Sequence, residues 1–186
     1  DKIMGFIDSG IKQGAKLQLG GTSLETEKGT FIAPTIFSDV KPNMEIAYEE
    51  IFGPVLSILT FSTVDEAIEI ANGTDFGLSA GVWTKDIDTA MIMTRNIEAG
   101  TVWVNNWMSG YPEIPFGGIL LTGTPHCQKA NEYSRIVYSN AFSTPNSQFI
   151  FFFCASFFMM SKRTSLFSKH KFIADFISNL LQMCNK

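Results

Sequence analysis

At 186 residues, 45% hydrophobic and 17% charged, the chain holds material for one core of ordinary size and is too apolar for general disorder. A net charge of −4 and a pI near 5.2 argue against the basic face or stripe that nucleic acid requires. Cys127, Cys154 and Cys184 are odd in number and far apart, and His126 and His170 lack further ligand groups, so neither a disulfide framework nor a zinc site is indicated; a reducing, cytoplasmic setting is the default.

The opening "DKIMGFIDSGIKQGAK" lacks an h-region long enough for a secretory signal and begins without Met, as an internal fragment would. Ile3, Met4, Ile7 and Ile11 recur at helical spacing, and Gly10 and Gly14 loosen and end the pattern, which predicts a helix over residues 1–13. "KLQLGG" is a short strand entering a Gly-Gly turn. "TFIAPTIF", Thr30 to Phe37, is β-rich but carries Pro34, which suits an edge or an irregular crossing better than a central strand.

Next comes "AYEEIFGPVLSILTF", in which Glu49 and Glu50 lead through Phe52 into Gly53-Pro54. Adjacent carboxylates commonly sit on a solvated surface. Here a ring, a residue without a side chain and a fixed φ follow in succession, a sequence able to hold one carboxylate and one ring rigidly against a ligand. Val55 to Phe61 then reads as a strand. Thr63 and Glu66 are spaced as a capping box for a helix with Val64, Ala67, Ile68 and Ala71 on one face, ending before Gly73. Leu78 to Thr84 is the next strand. Asp86 caps a helix whose stripe is Ile87, Ala90, Met91, Thr94 and Ile97, and Thr101 to Asn105 closes the series.

The order β-α-β-α-β with short connections predicts an α/β fold, an open and mostly parallel sheet with right-handed crossovers. Such sheets place ligands beyond the carboxyl ends of their strands, which selects the loop after Asn105, "NWMSGYPEIPFGG". Trp107, Tyr111 and Phe116, with Glu113 as the one charge, suit a pocket for an apolar or cationic small molecule, or simply cover the end of the sheet. Asn105 itself either donates an amide hydrogen bond into such a pocket or serves as a turn former. No G-x-G-x-x-G, P-loop or Ser/His/Asp set is present, and no metal site is indicated.

Near residue 119 the chain changes character. Residues 1–118 carry 16 acidic and 7 basic side chains, and residues 119–186 carry 2 and 7. Ten of the 17 phenylalanines fall in the second part, many in "FIFFFCASFFMM", Phe149 to Met160. That run is too short to cross a bilayer as a helix; it reads as a buried strand or helix, an interfacial segment, or sequence not selected to fold. Membrane association is the weaker expectation, since the run lacks a polar face.

Several phrases together resemble the aldehyde dehydrogenase superfamily: "YEEIFGPVLSILTF", "ANGTDFGLSAGVWTKD", "AGTVWVN" and "PFGG", with "GAKLQLGG" and "GTFIAPTIF" upstream. The likeness covers residues 1–118. It implies a partial aldehyde dehydrogenase catalytic domain over 1–118, followed by a non-homologous, disordered or poorly folded tail over 119–186. It further implies oxidation of an aldehyde to a carboxylic acid with NAD or NADP, through a cysteine thiolate, a thiohemiacetal and hydrolysis of a thioester. On that resemblance Glu50 and Phe52 are cofactor-binding, at the nicotinamide ribose and the nicotinamide, and Trp107, Tyr111 and Phe116 are substrate-binding. The nucleophilic cysteine, the general-base glutamate and the cofactor fold map upstream of Asp1, so no catalytic residue is assigned and the isolated chain is expected to be inactive. The implied partners are a small aldehyde and further subunits of a homo-oligomer, with neither nucleic acid nor membrane. The alternative is a non-catalytic fragment that acts only through subunit association.

Overall fold

A computed structural model describes residues 2–26, 29–106, 117–120, 136–139, 149–154 and 156–162. Helix α1, Lys2–Lys12, buries Ile7 and Gly10, while Ile11 is turned outward. Gly10 therefore lies inside the helix, within the expected span 1–13. It is the point where α1 crosses α2, Glu45–Tyr48, and a Cβ there would lie 2.8 Å from Ile46 Cδ1 and 3.4 Å from the Phe37 ring. Helix α1 closes at Gly14, φ 94°.

Strand β1, Lys16–Leu19, pairs antiparallel with β4, Thr35–Ser38. Between them β2, Ser23–Thr26, and β3, Gly29–Ile32, form a separate antiparallel pair. Ala33-Pro34 is the crossing from that pair into the main sheet, where Pro34 removes a ladder donor and the strand breaks. Segment 30–37 is thus two strands rather than one. Its second half is internal, not an edge, because β4 lies between β1 and β5.

Strand β5, Val55–Phe61, is followed by α3, Val64–Ala71, then β6, Phe76–Gly77, and β7, Ser79–Trp83. After these come α4, Ile87–Asn96, β8, Thr101–Val104, and β9, Ile119–Leu120. Both helix caps form: the Glu66 amide donates to Thr63 Oγ1 at 3.1 Å and the Thr89 amide to Asp86 Oδ2 at 3.0 Å. The Glu66 carboxylate reaches back to the Ser62 amide at 2.7 Å, one residue earlier than a regular capping box. Three later strands, β10 (Ile136–Ser139), β11 (Phe149–Cys154) and β12 (Ser156–Lys162), join the same sheet.

The order is β1-β4-β5-β12-β11-β7-β8-β10, and all but β1 and β11 run the same way. The expected β-α-β-α-β unit is β5-α3-β7-α4-β8. Its last two strands are neighbours, but β5 and β7 are separated by β12 and β11. Phe37, Phe61, Ile46, Leu59 and Ile97 are almost completely buried between the sheet and the helices. Truncating a buried phenylalanine of this kind to alanine costs about 3–5 kcal/mol. On α4 the buried stripe is Thr89, Ala90, Met93 and Thr94, while Ile87 and Met91, expected inside, are exposed. No helix among the described residues is long and apolar enough to cross a membrane.

Candidate functional site

The stretch 49–54 is held from several directions. On its near side the short α2 is fastened to α1: Ser9 Oγ donates to the Glu45 carboxylate, and the Glu45 amide donates to Gln13 Oε1 at 2.8 Å. Ser57 Oγ, buried in β5, donates to the Ile46 carbonyl at 2.9 Å, and Thr74 Oγ1 donates to the Tyr48 carbonyl at 3.1 Å. Ile51 is 1% exposed and plugs into the core. On the far side the Thr35 amide donates to the Pro54 carbonyl at 2.8 Å, and the Val55 amide to the Gly53 carbonyl at 2.7 Å. Gly53 touches α1 so closely that a Cβ would lie 2.7 Å from Ile3 Cδ1.

Within that frame Phe52 takes φ 52°, in the left-handed region, and the residue is 70% exposed. A bulky aromatic residue rarely adopts that conformation. Glu50, two residues earlier, is half-buried. The loop therefore offers a carboxylate and a bare aromatic ring from a backbone that its neighbours fix. Glu49 is exposed, in keeping with a solvated partner of Glu50.

The loop after β8 begins differently. Asn105 also has a left-handed backbone, φ 53°, but its amide is spent on β7: Oδ1 accepts from the Thr84 amide at 3.0 Å and Nδ2 donates to the Thr84 carbonyl at 2.9 Å. Of the two roles the sequence left open for Asn105, the structure takes the turn former. Thr84 Oγ1 accepts in turn from the Asp86 amide at 3.1 Å, and Asp86 caps α4. The Thr89 hydroxyl and amide both donate to the Asp86 carboxylate and hold its pKa below the usual 3.8. Trp107, Tyr111, Glu113 and Phe116 lie outside the described residues.

Gly117-Gly118 lies at the other end of β8. A Cβ on Gly100, one residue before that strand, would be 1.9 Å from the Gly117 carbonyl oxygen. A Cβ on Gly77 would be 2.6 Å from both the Glu98 carbonyl and Ile119 Cγ1. The Gly100 amide donates to the Gly77 carbonyl at 3.0 Å, and β9 pairs with β6 beside them. The "PFGG" glycines thus belong to a backbone-on-backbone junction at the amino ends of β7 and β8. The loop that follows β8 begins at the carboxyl edge and returns to the amino edge.

Glu50 and Phe52 also stand at the amino edge, just before β5. They share that edge with Gly117-Gly118 at the foot of β8, four strand spacings or about 19 Å along the sheet. Gly77 and Gly100 were missed as structural pivots; the signal was a glycine immediately ahead of each of two strands. The rule of ligands at carboxyl ends does not select the Glu50–Pro54 loop.

A sequence model described as the aldehyde dehydrogenase family matches residues 1–140, past the change in composition near residue 119. Retinaldehyde dehydrogenase 3 of Homo sapiens is 48% identical over 139 residues, 75% of this chain and 27% of that protein. The crystal structure of an NAD-dependent aldehyde dehydrogenase from Sinorhizobium meliloti is similar with a TM-score of 0.63 and 49% identity, covering 66% of this chain and 24% of that one. An indole-3-acetaldehyde dehydrogenase of P. syringae, solved with NAD+, gives a TM-score of 0.64 and 47% identity over 66% of this chain and 25% of that one. The chain spans about a quarter of the length of these relatives.

Proposed function

The chain belongs to the aldehyde dehydrogenase family, and from that membership we propose that it supplies the carboxyl-terminal part of a catalytic domain that oxidises an aldehyde to a carboxylic acid with NAD or NADP. One observation carries the reading at the level of residues: the Glu50–Pro54 loop presents an exposed aromatic ring from a left-handed backbone, beside a half-buried carboxylate. These two side chains fit a nicotinamide riboside. An ionised carboxylate is an acceptor-only group, matched to the two ribose hydroxyls, and a bare ring offers a flat apolar face to a flat heterocycle.

In this reading Glu50 accepts hydrogen bonds from the ribose and sets its orientation, while the Phe52 ring limits where the attached heterocycle can lie. Gly53, seated on Ile3, keeps both from drifting. When bound, the cofactor supplies the hydride acceptor. The loop that carries Trp107, Tyr111 and Phe116 lines the way in for the aldehyde, and the setting is cytoplasmic. By the family resemblance, the nucleophilic cysteine, the general-base glutamate and the cofactor fold belong to sequence upstream of this match. Similarity to an NAD-dependent enzyme and to one solved with NAD+ favours NAD as that cofactor.

Two measurements test this. The purified 186-residue chain, given an aldehyde and NAD+, is expected to form no NADH by absorbance, since losing a nucleophile removes orders of magnitude of rate. NADH formation would overturn the assignment of the nucleophile to another segment. Oxidised nicotinamide mononucleotide, titrated into the isotope-labelled chain, is expected to shift amide resonances over residues 49–54, and Glu50→Gln or Phe52→Ala to reduce those shifts. Shifts confined to other residues would remove Glu50 and Phe52 from the site.

A second reading, association without catalysis, is favoured by the apolar margin of the sheet. All four residues of edge strand β1 are exposed, Leu19 by 49%, and Leu24 and Phe31 on the adjoining strand pair are 55% and 54% exposed. Size-exclusion chromatography separates a discrete oligomer from a monomer.

A further inference from the structure

The middle of the main sheet is built from residues that the family match does not reach. That match ends at residue 140, whereas β11 and β12 span residues 149–162 and lie between β5 and β7. Phe157 to Lys162 pair one for one with Leu56 to Phe61 of β5, and Phe149 to Phe153 pair with Trp83 back to Ser79 of β7. β5 and β7 are both inside the family match. Their facing edges lie within that match, and what stands between them here lies outside it.

Those edges cannot be left open at low cost. With the hairpin in place Val55 to Leu59 and Ser79 to Val82 are buried, and an unpaired strand edge would leave rows of peptide groups in need of partners. Two strands stand between β5 and β7, so the facing edges are three strand spacings, about 14 Å, apart. Relatives four times the matched length have other segments to place there. The run Phe149–Met160, read simply as sequence, has the unbroken apolar character of strands covered on both faces.

We propose that the hairpin 149–162 is an intramolecular strand plug. By main-chain pairing it fills a two-strand slot that longer family members fill with chain from outside the matched region, and it keeps any other strand out of that slot. The proposal rests on pairing and on the limits of the family match, so it stands or falls independently of the redox chemistry above.

Disulfide trapping in the full 186-residue chain tests it, with Cys127, Cys154 and Cys184 changed to serine. Ala80 and Phe152 are direct partners across an antiparallel pair, at a spacing suited to a disulfide. Ala80→Cys with Phe152→Cys is expected to form an intrachain bond in most molecules on mild oxidation. Ala80→Cys with Met159→Cys, where Met159 pairs instead with Ile58, is expected to form at least tenfold less. Equal trapping in the two pairs, or bonds mainly between chains, would overturn the plug. Hydrogen exchange on the unmodified chain supplies a test that needs no substitution. Amides 150–153 and 157–161 are expected to be protected to within tenfold of those in β5, and free exchange there beside a protected β5 would also overturn the proposal.

Discussion

Phe52 and Asn105 hold nearly the same backbone conformation, φ 52° and 53°, at opposite edges of the sheet. At Asn105 the cost is offset locally. Asparagine tolerates the left-handed region, and its amide supplies both peptide groups of Thr84 with partners just past the end of β7. At Phe52 the residue type is a poor one for the conformation and its ring stays in solvent. The same dihedral is a structural tie in one place and an imposed display in the other. The difference teaches that positive φ alone does not mark a site; positive φ without a local return does.

The contrast can be broken at either end. Removing the tie has the largest expected effect: Asn105→Ala leaves the Thr84 peptide groups without partners, and Thr84 is 1% exposed. A loss of about 2–3 kcal/mol is expected in urea unfolding, and a value under about 0.5 kcal/mol would deny Asn105 that role. Gly53→Ala tests whether the Phe52 display is pinned by α1. It is expected to cost about 1–2 kcal/mol by overpacking against Ile3. A double-mutant cycle with Ile3→Ala should recover most of that cost, and simple additivity would show the contact to be unimportant.

Phe52→Asn sharpens the comparison by giving one position the residue of the other. It is expected to stabilise the chain by about 1 kcal/mol while abolishing the mononucleotide-induced shifts at residues 49–54. Destabilisation would mean that the ring supports the fold rather than a ligand. The smallest effect is expected at Asp86, which extends the Asn105–Thr84 tie into α4. Its carboxyl pKa is depressed in the folded chain, so its contribution is present above the ordinary value of 3.8 and is lost as pH falls through the lower, folded value. The gap in melting temperature between wild type and Asp86→Ala should be constant near neutral pH and close in strong acid. A gap that widens in acid would reverse the assigned sign.

The elements around this comparison were legible to different degrees. β5, β7, β8 and the two helices between them announce themselves through runs of apolar residues and through Thr63 and Asp86, because caps and periodicity are local properties of the chain. The rotation of α4 is not local. Ile87 and Met91 look like core residues by type, yet Thr89 and Met93 are buried in their place, beside Ala90 and Thr94. Both threonines can be buried because each hydroxyl finds a partner on the helix itself, at Asp86 and at the Met91 carbonyl. Strand neighbours are less legible still. Nothing in β5 or β7 says that residues more than 60 positions later pair between them, since backbone pairing carries no signature in the side chains. At the site, "EEIFGP" stood out as chemically odd, whereas the use of Asn105 depended on Thr84, a partner 21 residues away.

The glycine junction at the foot of β8 has one further consequence, for how such a protein can change over generations. The loop leaves the sheet at Asn106 and is fastened again at Gly117, against Gly100, so both its ends are anchored to the same strand. Sequence placed between two such posts can change while the posts hold their places. Doubling the length of a flexible closed loop adds only about 0.6 kcal/mol. New sequences can therefore be tried between the posts, altering what the loop greets, while the strands beneath keep their register.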